Sequence, residues 1–321
     1  MKPGWVFRLI FPLSLTACAS LSTAVPAPHP KIVEKRAYAV RQTLSLTNLG
    51  AGTPEKQNLW VALIRDIPPY QSAELKAISP GDYQTMTDEL GNAYAEFDFS
   101  EHPPGEKITV EIEYRVTVNE LLFETDLCQG ELPQEFTLPE LHIESANPQI
   151  VALSHELSRG KDTACEQARA FYDYVGDELV YTYNRRAWGA QGALGNMGAD
   201  CSEYASLMMA LSRAAGIPTR YYEGLLYLEN KNNGVAQIEH AWLDVYLPGA
   251  GWAAVDPTLG RTPLYRESHF AHYTPDHIIV TVGRNPSTLR GSSYWSHLYW
   301  PGDSTKIIIE EAEWSIEALE P

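Results

Sequence analysis

Between Tyr38 and Val118 apolar and polar residues alternate in short runs: YAVRQTLSLTN, NLWVALIRDI, NAYAEFDF and KITVEIEYRVTV, divided by Gly, Pro, Asn and Asp. A period of two with turn residues between the runs predicts antiparallel strands. KITVEIEYRV is the clearest, with Ile108, Val110, Ile112, Tyr114 and Val116 on one face. Asp88-Glu89-Leu90-Gly91-Asn92 supplies one of the turns. Several such strands in succession predict a β-sandwich over residues 31–125. His102, in the loop EHPPGE, reads as a surface residue.

Near residue 125 the period lengthens. ANPQIVALSHELSRG and DTACEQARAFYDYVGDEL have helical spacing, with Asp162 or Thr163 as N-cap and Gly176 interrupting or ending the second. AWGAQGALGNMG follows as a glycine-rich loop without the Lys-Ser/Thr ending of a phosphate loop, and is read as a flexible cleft wall. GADCSEYASLMMALSRAAGIPTR then predicts an amphipathic helix. Asp200 is its N-cap, Leu207, Met208, Leu211 and Ala215 form its stripe, and Gly216 and Pro218 stop it. TRYYEGLLYLE, QIEHAWLDVYL, GWAAVDPT, HIIVTVG and KIIIEEAEWSI read as further strands. The expected class is α+β: a sandwich over residues 31–125, helices packed on an antiparallel sheet over 126–285, and a β extension over 286–321.

Within that frame one cysteine is unusually placed. Cys201 falls in the first turn of its helix, where unpaired backbone N–H groups and the positive end of the helix dipole favour a thiolate. A nucleophile needs a base and an orienter. His240 lies on the strand face of Ile238, Trp242, Asp244 and Tyr246, and Asp256 ends the next strand in AAVDPT. An imidazole there can take the thiol proton, and a carboxylate can fix its tautomer. Taken singly, the two are more often a structural histidine and an Asp-Pro turn. Parity constrains the pair. A four-residue connection would pair Leu247 with Trp252 and turn Asp256 away from His240; an odd connection, or a bulge at Gly249 or Gly251, keeps both on one face.

GADCSEYASLMMALSRAAGIPTRYYEGLL, EHAWLDVYL and GWAAVDPTLG resemble the three motifs of the transglutaminase-like superfamily. The resemblance runs through roughly residues 145–285, and HIIVTVGR, with Gly283 and Arg284, is similar to a stretch that follows the aspartate in bacterial members. It implies a papain-like core with Cys201 as nucleophile, His240 as base and Asp256 as orienter. The implied reaction is thiolate attack on a peptide or carboxamide carbonyl, giving a thioester that water or a lysine-type amine resolves. The oxyanion requires donors, each worth about 3–4 kcal/mol. The Cys201 N–H is one. By resemblance to eukaryotic members Trp188 is a candidate for the second, alongside Gln191 and Tyr181. The alternative is a non-catalytic binding or scaffold module that uses the same cleft.

The chain's charge of −17 argues against a nucleic-acid partner, and the resemblance implies a protein or peptide substrate. No HExxH, CxxC pair or EF-hand loop occurs, so no metal or other cofactor is expected, and His269, His272 and His277 read as surface or strand-end residues. Residues 1–17 have the form of a signal peptide, with Lys2 and Arg8 ahead of an apolar run. Leu15-Thr16-Ala17-Cys18 resembles the bacterial lipobox. That implies a lipid on Cys18, residues 18–30 as a flexible tether, and a place on the periplasmic face of the outer membrane, since Ala19 is not the retaining Asp. Cys128 and Cys165 remain, either as a disulfide that would stabilise the fold by about 3–4 kcal/mol or as two buried thiols.

Overall fold

The computed structural model describes residues 30–183, 189–195, 198–230, 234–285, 296–299, 306–310 and 313–320. Six strands come first: β1 (Lys31–Asn48), β2 (Asn58–Leu63), β3 (Gln71–Ser79), β4 (Gln84–Thr87), β5 (Ala93–Asp98) and β6 (Lys107–Leu122). Four helices follow: α1 (Pro148–Leu157), α2 (Ala164–Glu178), α3 (Gly189–Leu194) and α4 (Cys201–Ala214). Then come β7 (Thr219–Asn230), β8 (Gly234–Leu247), β9 (Gly251–Val255), β10 (His272–Tyr273), β11 (His277–Val282), β12 (Ser296–Tyr299), β13 (Ile307–Ile309) and β14 (Glu313–Leu319). Helices beside antiparallel sheets make the fold α+β.

Three sheets organise these strands. The long β1 and β6 pair from Lys31↔Leu122 to Thr47↔Lys107, and β10, β3, β13 and β14 join the same sheet. β2 and β5 pair, with β12 and β4 on either side. The third sheet runs β11-β7-β8-β9. Alternation places Val110, Ile112, Tyr114 and Val116 of β6 in the core, as period-two patterning demands. The C-terminal strands β12, β13 and β14 add to sheets begun by the N-terminal ones, so the last segment completes that β region and is not an appendage.

The third sheet is fastened to the N-terminal strands by buried amides. β11 is an edge strand, and an edge leaves backbone groups unpaired. Gln71 Nε2–H donates to the Ile279 carbonyl at 2.9 Å, while the Ile279 N–H donates to Gln71 Oε1 at 2.8 Å. Asn92 makes the same two-point contact with Val282, at 2.8 Å in each direction. On β8, beyond β7 in the same sheet, Asp244 is fully buried and accepts from Arg220 and from the Tyr70 and Tyr222 hydroxyls. Tyr70 belongs to the N-terminal part, so this network also spans the junction.

Several local expectations change. α2 is capped by Thr163, with Glu166 completing the capping box, but it continues through Gly176. The lack of a side chain there admits Arg266, whose guanidinium lies 3.1 Å from where a Cβ would be. The glycine-rich segment is not a loop throughout: residues 189–194 form α3, with Gly189, Ala190, Gly192 and Ala193 buried. Small residues let α3 lie close to its neighbours. α4 is not amphipathic in its surroundings, because every residue from Glu203 to Arg213 is buried. His102 is 2% exposed and holds the Glu106 carbonyl at 2.8 Å, so it is an interior structural residue.

Candidate active site

α4 begins where its sequence says it should. Asp200 accepts from Ser202 N–H at 3.1 Å, and Glu203 Oε2 accepts from Asp200 N–H at 3.2 Å. This reciprocal cap fixes Cys201 at the first helical position, where its own N–H lies outside the intrahelical ladder. Glu203 is completely buried, and it is tolerated there because the Arg284 guanidinium approaches it at 3.9 Å. Arg284 also donates to the Ser202 carbonyl at 3.2 Å and to Ser206 Oγ, and it lies over the Tyr221 ring. Arg284 thus ties the start of α4 to the end of β11. Cys201 is partly exposed and is the free thiol among the described cysteines.

The β8–β9 connection is three residues long. Leu247 pairs with Gly251 and Tyr246 with Trp252, so even residues face even ones. Gly249 at φ +85° and Gly251 at φ +78° make the tight reversal without a Cβ clash. Continuing the register past Leu243↔Val255 puts His240 and Asp256 on one sheet face, as parity requires. His240 Nε2 stands 2.7 Å from Asp256 Oδ2, both side chains being about 5% exposed. Cys201 is among the groups that raise the His240 pKa, which sets its sulfur near the same imidazole. With Nε2 on the carboxylate, Nδ1 is the nitrogen left for the sulfur.

Asp256 is saturated by donors. Its Oδ1 accepts the Thr258 and Leu259 N–H groups, each at 2.9 Å, and Oδ2 accepts from His240 and, at 3.2 Å, from His277 Nε2. Burial pushes its pKa up, but His240 and His277 outweigh that and hold it well below 3.8. Burial pulls the His240 pKa down; the Asp256 charge and hydrogen bond, with a smaller part from Cys201, raise it to about 10. Burial lowers His269 to about 4, against the pull of Asp256. Cys201, His240 and Asp256 thus set a thiol group, an imidazole that keeps its proton near neutral pH and a carboxylate held in its charged form side by side.

His277 was not foreseen in this place. Of the two expected places it takes the strand end, at the start of β11, and is 3% exposed. His272 is also half-buried and meets Glu120 at 2.8 Å. The ligand atoms of His240, Asp256 and His277 lie within 4.8 Å of one another, a spacing that a divalent cation could also span. At 2.7 and 3.2 Å, however, the two contacts to Oδ2 are hydrogen-bond distances, with N–H groups occupying the space a cation would need.

The candidate oxyanion donors separate. Tyr181 lies beside Cys201: it bridges to Ala199, Arg261 stacks over its ring at 4.9 Å, and burial followed by the nearby Cys201 and Asp200 raises its pKa. Gln191 is exposed on α3, its N–H donating to Glu144 at 3.1 Å. Trp188 and Cys18 lie outside the described residues. Cys128 and Cys165 form a disulfide with a Cα separation of 6.0 Å. A cavity of about 640 Å³ opens beside it, but Cys201, His240 and Asp256 do not line it. The Arg169 side chain in its wall is already paired with Asp173 and Glu267.

Residues 151–257 match the transglutaminase-like superfamily, an interval that holds Cys201, His240 and Asp256. The chain carries a transglutaminase-like domain. The uncharacterized protein YebA of Bacillus subtilis is 26% identical over 174 residues, 46% of this chain and 24% of YebA. A protein-glutamine gamma-glutamyltransferase of Pseudomonas aeruginosa is 32% identical over 127 residues, 36% of this chain and 19% of that enzyme. The chain therefore spans a quarter or less of the length of these relatives. A solved structure, a candidate cysteine protease of Cytophaga hutchinsonii, aligns over 90% of this chain and 92% of its own with a TM-score of 0.63 at 13% identity. That likeness shows a shared fold reaching well beyond the transglutaminase-like domain, into the β region before it. The domain places the chain in a superfamily of thiol enzymes.

Proposed function

We propose that the protein is a Cys-His-Asp acyl-transfer enzyme acting on peptide or carboxamide bonds. The observation that carries this reading is the 2.7 Å contact between His240 Nε2 and Asp256 Oδ2, with Cys201 near the same imidazole at a helix start. With the His240 pKa raised to about 10, the proton rests on the imidazole, and Cys201 Sγ attacks the carbonyl carbon as the thiolate of a thiolate–imidazolium pair. The oxyanion is held by the Cys201 N–H, and Tyr181 is the candidate for a second donor. Collapse breaks the C–N bond, and His240 returns the proton to the departing nitrogen. In the second half His240, neutral after giving up its proton, deprotonates water, whose oxygen adds to the thioester carbonyl; the C–S bond breaks, a carboxylic acid leaves, and the thiolate–imidazolium pair is restored. Hydrolysis is favoured over amine transfer because water is always present, whereas the transferase relative argues for keeping transfer as the competing outcome.

The deciding experiment incubates the protein with peptide-bound glutamine and a labelled primary amine and reads the products by mass spectrometry. A mass gain of one dalton or a cleaved peptide marks hydrolysis, and label incorporation marks transfer. Cys201→Ala should abolish both, and His240→Gln should slow them by about 10²–10⁴-fold. Wild-type protein that forms no product and no thioester with such peptides would favour a binding module. We propose in addition that the mature chain is lipid-anchored through Cys18 in the bacterial envelope, on the strength of the L-T-A-C sequence behind an apolar run. Cys18→Ser should then lose fatty-acid label and membrane association.

A further inference from the structure

We infer that His277 is a positioning residue for the Cys201–His240 pair, acting through the Asp256 carboxylate. The inference rests on the acyl-transfer reading above. His277 Nε2 lies 3.2 Å from the same Oδ2 that His240 Nε2 contacts at 2.7 Å, and both rings are buried. Its other nitrogen, Nδ1, is 2.9 Å from Thr274 Oγ1. A Thr274 hydroxyl that donates to Nδ1 fixes the neutral tautomer with its proton on Nε2, aimed at Asp256. The ring is also held from both sides, with the Trp242 centroid at 4.9 Å edge-on and the Tyr273 centroid at 5.6 Å. β11 pairs with β7 at His277↔Leu226, so sheet register sets the ring's position.

The consequence is geometric. A carboxylate has about four acceptor sites, and Asp256 fills them with two backbone N–H groups and two imidazoles. With His277 in place the carboxylate can neither turn nor admit water, and its remaining lone pair points at His240. Without it, the site on Oδ2 opens to water and the His240 ring loses a fixed partner. The proton shared between Cys201 and His240 then sits in a looser frame.

The test compares full-length wild type with His277→Phe, His277→Gln and Thr274→Val. Two readouts are followed in histidine-labelled protein: the rate at which iodoacetamide alkylates Cys201 at neutral pH, and the low-field ring N–H resonance of His240. Folded His277→Phe should alkylate about tenfold more slowly and lose the His240 resonance to solvent exchange. His277→Gln, whose amide N–H reaches a similar point, should restore both. Thr274→Val preserves the core volume and frees the His277 tautomer, so it should give a smaller loss in the same direction even if the Phe variant fails to fold. Wild-type rates and an unchanged His240 resonance in Phe or Val variants would overturn the positioning role while leaving the acyl-transfer reading intact. A wild-type thiol whose alkylation is indifferent to His240→Gln would instead overturn the acyl-transfer reading itself.

Discussion

His240 and Asp256 are separated by 16 residues, yet their Nε2 and Oδ2 atoms meet at 2.7 Å inside the protein. The pair binds protons differently from the unfolded chain, which makes stability depend on pH. The His240 pKa is raised from 6.5 to about 10, so its contribution is complete below pH 6.5 and is lost as the pH climbs through about 10. The Asp256 pKa is held below 3.8, so its contribution is complete above pH 3.8 and is lost as the pH falls through the lower, folded-state value. Both are complete between about pH 4 and 6.5. The Tm of wild type minus that of Asp256→Asn should peak in this window and shrink toward pH 10. Thermal unfolding followed by circular dichroism measures it, and a difference that grows above pH 7 contradicts the assignment.

Gln71→Leu should loosen the third sheet from the N-terminal strands. The substitution leaves the Ile279 N–H and C=O buried without their amide partners, at about 1–3 kcal/mol for each group left unsatisfied. Hydrogen exchange should quicken first along β11. Protection at Ile279 equal to wild type would show that the amide contact is dispensable.

Asp244→Leu should be more damaging. It takes the carboxylate from the part-buried Arg220 guanidinium and from the buried Tyr222 hydroxyl, while Tyr70 keeps the Trp252 carbonyl, and breaking a buried ion pair on one side typically destabilises by about 3–5 kcal/mol. Tyr70→Phe removes one donor and should lose about 1 kcal/mol. Urea denaturation separates the two, and equal midpoints for all three proteins would refute the ranking.

Removing the Cys128–Cys165 disulfide, by Cys128→Ala with Cys165→Ala, should lower stability by about 3–4 kcal/mol. That follows from the 37-residue separation in the chain-entropy treatment. Because the bond links the segment before α1 to the first turn of α2, iodoacetamide labelling of Cys201 should change little in the folded double variant. A Cys201 rate that collapses with the disulfide would mean that it braces the site directly.

Local rules made part of the site legible in the sequence. The capping residues Asp200 and Glu203 act within one helical turn, and they alone decide that Cys201 opens α4. The spacing of EHAWLDVYL and GWAAVDPT likewise carries strand alternation, which narrows the His240–Asp256 relation to a question of loop parity. The chain could not answer that question by itself, because three- and four-residue connections both suit the Pro-Gly-Ala-Gly sequence 248–251. The pairing of Leu247 with Gly251 decided it.

Other features depended on contacts between distant segments. His277 looks ordinary beside His269 and His272, and becomes part of the site only because β11 pairs with β7 and brings its ring to Asp256. The helical stripe of α4 gave no sign that its polar residues would also be enclosed; Arg284, just after β11, and Thr219, at the start of β7, supply partners for Glu203 and Arg213. The two open cysteines became a disulfide when the segment after β6 was laid against α2. Backbone preference and capping act over a few residues, so sequence alone determined where the Cys201 helix starts and which strands carry His240 and Asp256. Burial, register and charge pairing are settled by neighbours tens to hundreds of residues away, and only the tertiary structure decided which imidazoles reach the one carboxylate.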